Sequence, residues 1–157
     1  MKRENQVKEP ASSSKSPVIA GETILLLEDQ AVTRESLARL LRRRFPNAGI
    51  ATASVDAEAE AILTQLKNEG KRLDIAVLDF MVPAGKGTTP EPTQICSKVV
   101  SSHPEALVVH FTAFRDQHAV DRHIADFHSY EGLPAVRLVD KSLPRWEDEV
   151  CHCCRPR

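Results

Sequence analysis

The chain has 157 residues, enough for one domain with tails and a sizeable buried core. Hydrophobic residues make up 41% and charged residues 27%, ordinary proportions for a globular protein. A formal net charge of −1 gives no electrostatic case for nucleic acid or an anionic membrane as partner.

No apolar run approaches the roughly 18 residues that a membrane span needs. The N-terminus has a charged start with no apolar stretch behind it, so no secretory signal is read there and a cytoplasmic location is expected. Cys96 stands apart from Cys151, Cys153 and Cys154, which is no disulfide framework. Arg39 and Arg42-Arg43-Arg44 form a basic cluster, read first as a solvated helix face.

Residues 1–20 are rich in Lys, Glu, Ser and Pro and are expected to be a disordered leader. From Thr23 onward, short apolar runs alternate with helical patterns. Thr23–Leu27 (TILLL) predicts a strand ending in Glu28-Asp29. Gln30–Phe45 has helical spacing, with Leu37, Leu40, Leu41 and Phe45 inward and Pro46 as its stop. Gly49–Ala53 predicts a weaker strand. Ser54 then caps a helix through Asn68, with Ile62, Leu63 and Leu66 inward and Gly70 at its end. Leu73–Leu78 (LDIAVL) is a strong strand ending in Asp79. Residues 84–93 (AGKGTTPEPT) predict a flexible loop, and Pro92 suits the first turn of a helix through Ser102. Ala106–Phe111 (ALVVHF) is a strand ending in Thr112, Asp116–Tyr130 a moderately polar helix, and Ala135–Val139 a last strand before Asp140-Lys141. A short helix is expected after Pro144, in which Trp146 and Val150 pack, with a frayed Cys-rich tail over 151–157.

The order is (βα)5. Strands apolar throughout are buried on both faces, which implies a parallel sheet between helical layers. Too few residues carry the pattern for an eight-stranded barrel. The expected fold is a doubly wound, flavodoxin-like α/β fold with a five-stranded parallel sheet. Ligands of such sheets sit at the carboxyl ends of the strands. Those ends deliver Glu28, Asp29, Asp79, Thr112 and Lys141 to one edge. Three carboxylates together demand a compensating cation. Oxygen donors without His or Cys favour a hard divalent ion, Mg²⁺ above all. A carboxylate beside that ion, with a hydroxyl and an ammonium, is an inventory for phosphoryl transfer to aspartate.

The pieces LLLEDQ (25–30), VLDFMVP (77–83), VVHFTA (108–113) and LVDKS (138–142) make the chain resemble a response-regulator receiver domain of the chemotaxis type. The resemblance runs from about Thr23 to Pro144 and implies a receiver over 21–150. It makes Asp79 the phosphoacceptor. Asp29 would hold Mg²⁺ directly and Glu28 largely through water, with the backbone carbonyl of Met81 as a further ligand. Thr112 would be the switch hydroxyl, Lys141 its cationic partner, and Ala113 the small residue that leaves the site accessible. Pro83 matches the proline of the loop after the acceptor. Met81 and Phe114 take the two positions that tune the lifetime of the phosphoryl group; both are apolar and bulky, which predicts a long-lived phosphoaspartate. Leu138 stands where the family commonly has an aromatic reporter of the switch. The resemblance implies a two-component phosphorelay protein, not an enzyme beyond slow self-dephosphorylation. Its partners would be a histidine kinase or histidine phosphotransfer protein, docking near Arg39–Arg44, and a downstream protein. The alternative is a phosphorylation-independent scaffold with the same fold.

Other chemistries fit less well. Gly85-Lys86-Gly87-Thr88 lacks the upstream Gly of a P-loop and the Ser or Thr directly after the Lys. A dehalogenase-type phosphatase needs a second Asp two residues after the first, where Met81 stands. His118, His123 and His128 lie five apart and do not share a helical face. Cys151-His152-Cys153-Cys154 crowds its donors too closely for one tetrahedral ion.

Overall fold

The computed structural model describes residues 21–113 and 136–155. The leader, Phe114, the helix expected over Asp116–Tyr130 and its three histidines lie outside the described residues.

The described elements are β1 (Thr23–Leu27), α1 (Ala31–Arg44), β2 (Gly49–Ala53), α2 (Asp56–Asn68), β3 (Ile75–Asp79), β4 (Met81–Pro83), β5 (Pro90–Pro92), α3 (Ile95–Ser102), β6 (Leu107–Thr112), β7 (Val136–Asp140) and α4 (Trp146–Cys153). Five strands form one parallel sheet in the order β2-β1-β3-β6-β7. This is the doubly wound α/β sheet that the apolar runs predict.

Successive side chains of a strand point to opposite faces, so an unbroken apolar run feeds two cores. In β1, Ile24 and Leu26 join Leu37, Ala38 and Leu41 of α1 and Val150 and Cys151 of α4. Leu25 and Leu27 join Ala59 and Leu63 of α2 and Ile95, Cys96 and Val99 of α3. Burying a side chain such as Leu37 or Leu41 contributes about 1.5–3 kcal/mol each. α1 stops at Phe45, ahead of Pro46, and carries Arg42, Arg43 and Arg44 in its last turn, where cations suit the helix dipole. After α2, Gly70 adopts φ 63°. Its N–H reaches the Lys67 carbonyl at 3.1 Å, and the Lys71 N–H reaches that of Leu66 at 2.9 Å. This paired closure needs a left-handed residue that Gly supplies without strain.

Four expectations are corrected. Ser54 is not the cap of α2, which follows Val55; its N–H and hydroxyl instead both donate to the Glu58 carboxylate at 2.8 Å. β3 begins at Ile75, because Asp74 turns its carboxylate to the Thr23 N–H (2.8 Å) and to Arg72. Residues 84–93 are no plain loop, and Pro92 is not in a helix. Met81–Pro83 and Pro90–Pro92 pair as an antiparallel hairpin, with Gly87 at φ 81° in the turn. Its turn is tied to α2 by the Ala57 N–H on the Ala84 carbonyl at 3.0 Å. α3 starts later, where Thr93 Oγ1 accepts the Ile95 N–H (3.1 Å). The buried Asp56 carboxylate accepts the Thr93 hydroxyl (2.6 Å) and the Gln94 N–H (3.0 Å). One carboxylate thus satisfies orphan donors at the start of α3 from the first residue of α2.

The tail is the fourth correction. α4 runs through Cys153, and Cys151, Cys153 and Cys154 are buried against the α1 side of the sheet. The helix is held at its end by the Arg137 guanidinium, which donates to the Cys153 carbonyl at 2.7 Å. No helix among the described residues is long and apolar enough to cross a membrane.

Candidate functional site at the carboxyl edge of the sheet

Parallel register sets the site. Leu27 is level with Leu78, Asp79 with Phe111, and Thr112 with Asp140. Residues just past or at these ends therefore meet at one edge. Glu28, Asp29 and Asp79 each place a carboxylate oxygen within 4.8 Å of the others. Glu28 has no exposed surface, Asp79 has 5%, and Asp29 is half-buried.

The turn between β1 and α1 is tightly held. The Gln30 N–H donates to Glu28 Oε1 at 2.9 Å. The Arg34 guanidinium donates to the backbone carbonyls of Glu28 (2.7 Å) and Asp29 (3.2 Å). Lys141, just past β7, reaches across the edge. Its Nζ donates to Glu28 Oε2 and to Asp79 Oδ2, both at 2.8 Å. Its own N–H donates to the Thr112 carbonyl at 2.9 Å, which seats the residue beside the end of β6. Thr112 is buried, Ala113 is exposed, and Met81 is half-buried with its N–H 3.4 Å from Asp79 Oδ1. Of the sequence-predicted site residues, Glu28, Asp29, Asp79 and Lys141 come into direct company, with Thr112, Ala113 and Met81 on the flanking strand ends. Phe114 is outside the described residues.

The electrostatics follow from burial first and crowding second. Burial, then the charge of Asp79, pushes the Glu28 carboxyl up to about 7 against the pull of Lys141. Burial also raises Asp79, with Lys141 opposing. Burial alone would lower the Lys141 ammonium, but Asp79 and Glu28 outweigh it and hold it above its ordinary value. The edge thus carries more negative charge than one lysine offsets.

Sequence reasoning missed three groups here. Arg34 acts on backbone carbonyls, which leave no trace in side-chain motifs. Phe111 and Trp146 flank the lysine: Lys141 Nζ lies 4.8 Å from the Phe111 ring centroid and 5.6 Å from that of Trp146. An apolar β6 residue and the sole tryptophan were legible as core, and only the fold brings them to Lys141.

No protein-family model matches the sequence, and no curated protein matches it. Solved structures do. The chain is similar to a response-regulator receiver domain protein from Clostridium thermocellum, at 19% identity and TM-score 0.61, over 85% of this chain and 90% of that one. It is similar to the signal receiver domain of a DNA-binding response regulator from Colwellia psychrerythraea 34H, at 24% identity and TM-score 0.60, over 83% and 96%. It is also similar to a Burkholderia pseudomallei response regulator holding a phosphorylated aspartic acid, a calcium ion and citrate, at 15% identity and TM-score 0.61, over 85% and 66%. The chain has the response-regulator receiver fold.

Proposed function

We propose that this chain is a receiver switch that accepts a phosphoryl group on Asp79. One observation carries the reading: three carboxylates converge within 4.8 Å at the carboxyl edge of the sheet, with one ammonium on two of them. The donor set fits a hard divalent cation, since it offers only oxygen and sets three carboxylates against one ammonium. Glu28, Asp29, Asp79 and the Met81 carbonyl would hold Mg²⁺, which when bound neutralises charge on the phosphoryl oxygens.

The remaining chemistry belongs to the chain. An Asp79 carboxylate oxygen forms the new bond to phosphorus. The bond from phosphorus to the donor, phosphohistidine nitrogen or acetyl phosphate oxygen, breaks, and its electron pair leaves with the donor. Lys141 supplies a fixed cation and Thr112 an O–H donor for the transferred oxygens. Ala113 keeps the approach clear, while Met81 and Phe114 offer no polar group to orient a hydrolytic water. The phosphorylated aspartic acid and calcium ion of the Burkholderia protein support this chemistry on the same fold. A histidine kinase or phosphotransfer protein would feed the switch, with the basic end of α1 in its docking face, and a second protein would read it. In this reading the chain acts as a switch and not as an enzyme.

The test is incubation with acetyl phosphate and Mg²⁺, read by intact mass beside Asp79→Asn. A phosphoryl adduct on the wild type alone is expected. A wild type that takes no adduct from acetyl phosphate or from a phosphohistidine donor refutes the reading and leaves the scaffold with a receiver fold.

A further inference from the structure

The position three residues before Lys141 is Leu138, 37% exposed at the edge strand, so it supplies no ring to sense the site. The ring at the site comes from elsewhere. Phe111 and Trp146 stack with centroids 5.4 Å apart and planes inclined by 22°, and both rings lie within cation–π reach of Lys141 Nζ. Phe111 is fully buried beside Thr112 on β6; Trp146 is half-buried and opens α4.

A lysine stem has four rotatable bonds, and its two oxygen contacts alone leave the ammonium able to swing about the line that joins them. We propose that Trp146 is a positioning residue for Lys141. Stacked on Phe111, it holds the ammonium between Glu28 and Asp79 and ties the charge on Asp79 to the first turn of α4. The consequence for phosphoryl uptake rests on Asp79 being the phosphoacceptor; the positional one does not. Trp146 also lines a groove of about 680 Å³ with Leu138, Leu143, Pro144 and Arg145. A change in Asp79 therefore reaches the surface through one lysine and one indole, in place of an aromatic at 138.

Trp146 is the only tryptophan of the 157 residues, so this chain has one indole N–H resonance. Asp79→Asn is expected to shift that resonance in the wild-type background and to leave it still in a Lys141→Met background, with no ligand present. Uptake from acetyl phosphate with Mg²⁺ should slow about fivefold in Trp146→Leu, the weight of one partly desolvated cation–π contact, and recover in Trp146→Phe. An indole resonance that ignores Asp79→Asn, or that shifts equally without Lys141, overturns the proposal. So does a folded Trp146→Leu protein that is phosphorylated at the wild-type rate. A wild type that takes no phosphoryl group defeats the function proposed above, and the resonance still decides the position of Lys141.

Discussion

Asp79→Asn should stabilise the metal-free protein at alkaline pH. Glu28 rises from 4.5 to about 7, which corresponds to a ceiling of about 3 kcal/mol against its ionised form. Burial is the larger cause and Asp79 the second, with Lys141 and the Gln30 N–H pulling the other way, so Asp79 supplies only part of the rise. Solvent reaching the edge past half-buried Asp29 screens part of this, leaving on the order of 1 kcal/mol. Asn keeps the shape of Asp79 and an acceptor for Lys141. The sign follows from the raised pKa: the proton on Glu28 stabilises the fold fully below about 4.5, and that contribution is lost as pH rises through about 7. Wild type in EDTA should therefore lose stability between pH 4.5 and 7, and Asp79→Asn should lose less. At pH 8 the variant should melt roughly 2–4 °C higher, by circular dichroism. Mg²⁺ should raise the melting temperature of the wild type and not that of the variant. Equal melting temperatures at pH 8 and parallel pH profiles would show that the carboxylates do not share a field.

Three further outcomes are expected. The phosphoaspartate should outlast seconds by a wide margin, and Met81→Asn with Phe114→Glu should shorten it; a half-life of seconds in the wild type, or one unmoved by the substitutions, removes the argument from apolar flanks. Asp56→Ala should cost about 1–3 kcal/mol in urea denaturation, because the Thr93 hydroxyl and Gln94 N–H lose their acceptor at the start of α3; an unchanged midpoint would mean that water replaces it. Truncation after Glu149 removes Val150, Cys151, Cys153 and Cys154 from the core and should cost on the order of 4 kcal/mol by area. A frayed tail would leave the melting temperature unchanged.

What could be read from the sequence follows from locality. The strands were legible because each is a continuous apolar run, and their order alone placed Glu28, Asp29, Asp79, Thr112 and Lys141 at one edge. The hairpin was not, because Pro83, Pro90 and Pro92 give no strand alternation and resemble a loop by composition. The true start of α3 was hidden because its cap, Asp56, lies 37 residues from Thr93. The last helix was underestimated because a run of cysteines near a terminus has no apolar period long enough to mark a core face. The Lys141, Phe111 and Trp146 group needed β6, β7 and α4 to be adjacent, which no local pattern encodes.

The buried thiols that α4 carries, Cys151 and Cys153, with Cys154 at its end, make detachment of that helix chemically visible. Burial pushes Cys151 up to about 11 and Cys154 and Cys96 up to about 12, so none is nucleophilic while covered. Cys96, on α3, sits in the opposite core against α2. An alkylating reagent would thus meet two protected populations in one chain, and the interval between their labelling rates would measure how far the last helix peels away short of global unfolding. The same peeling would carry Trp146 off Lys141, so the rate of terminal thiol labelling would also time the loosening of the acidic edge.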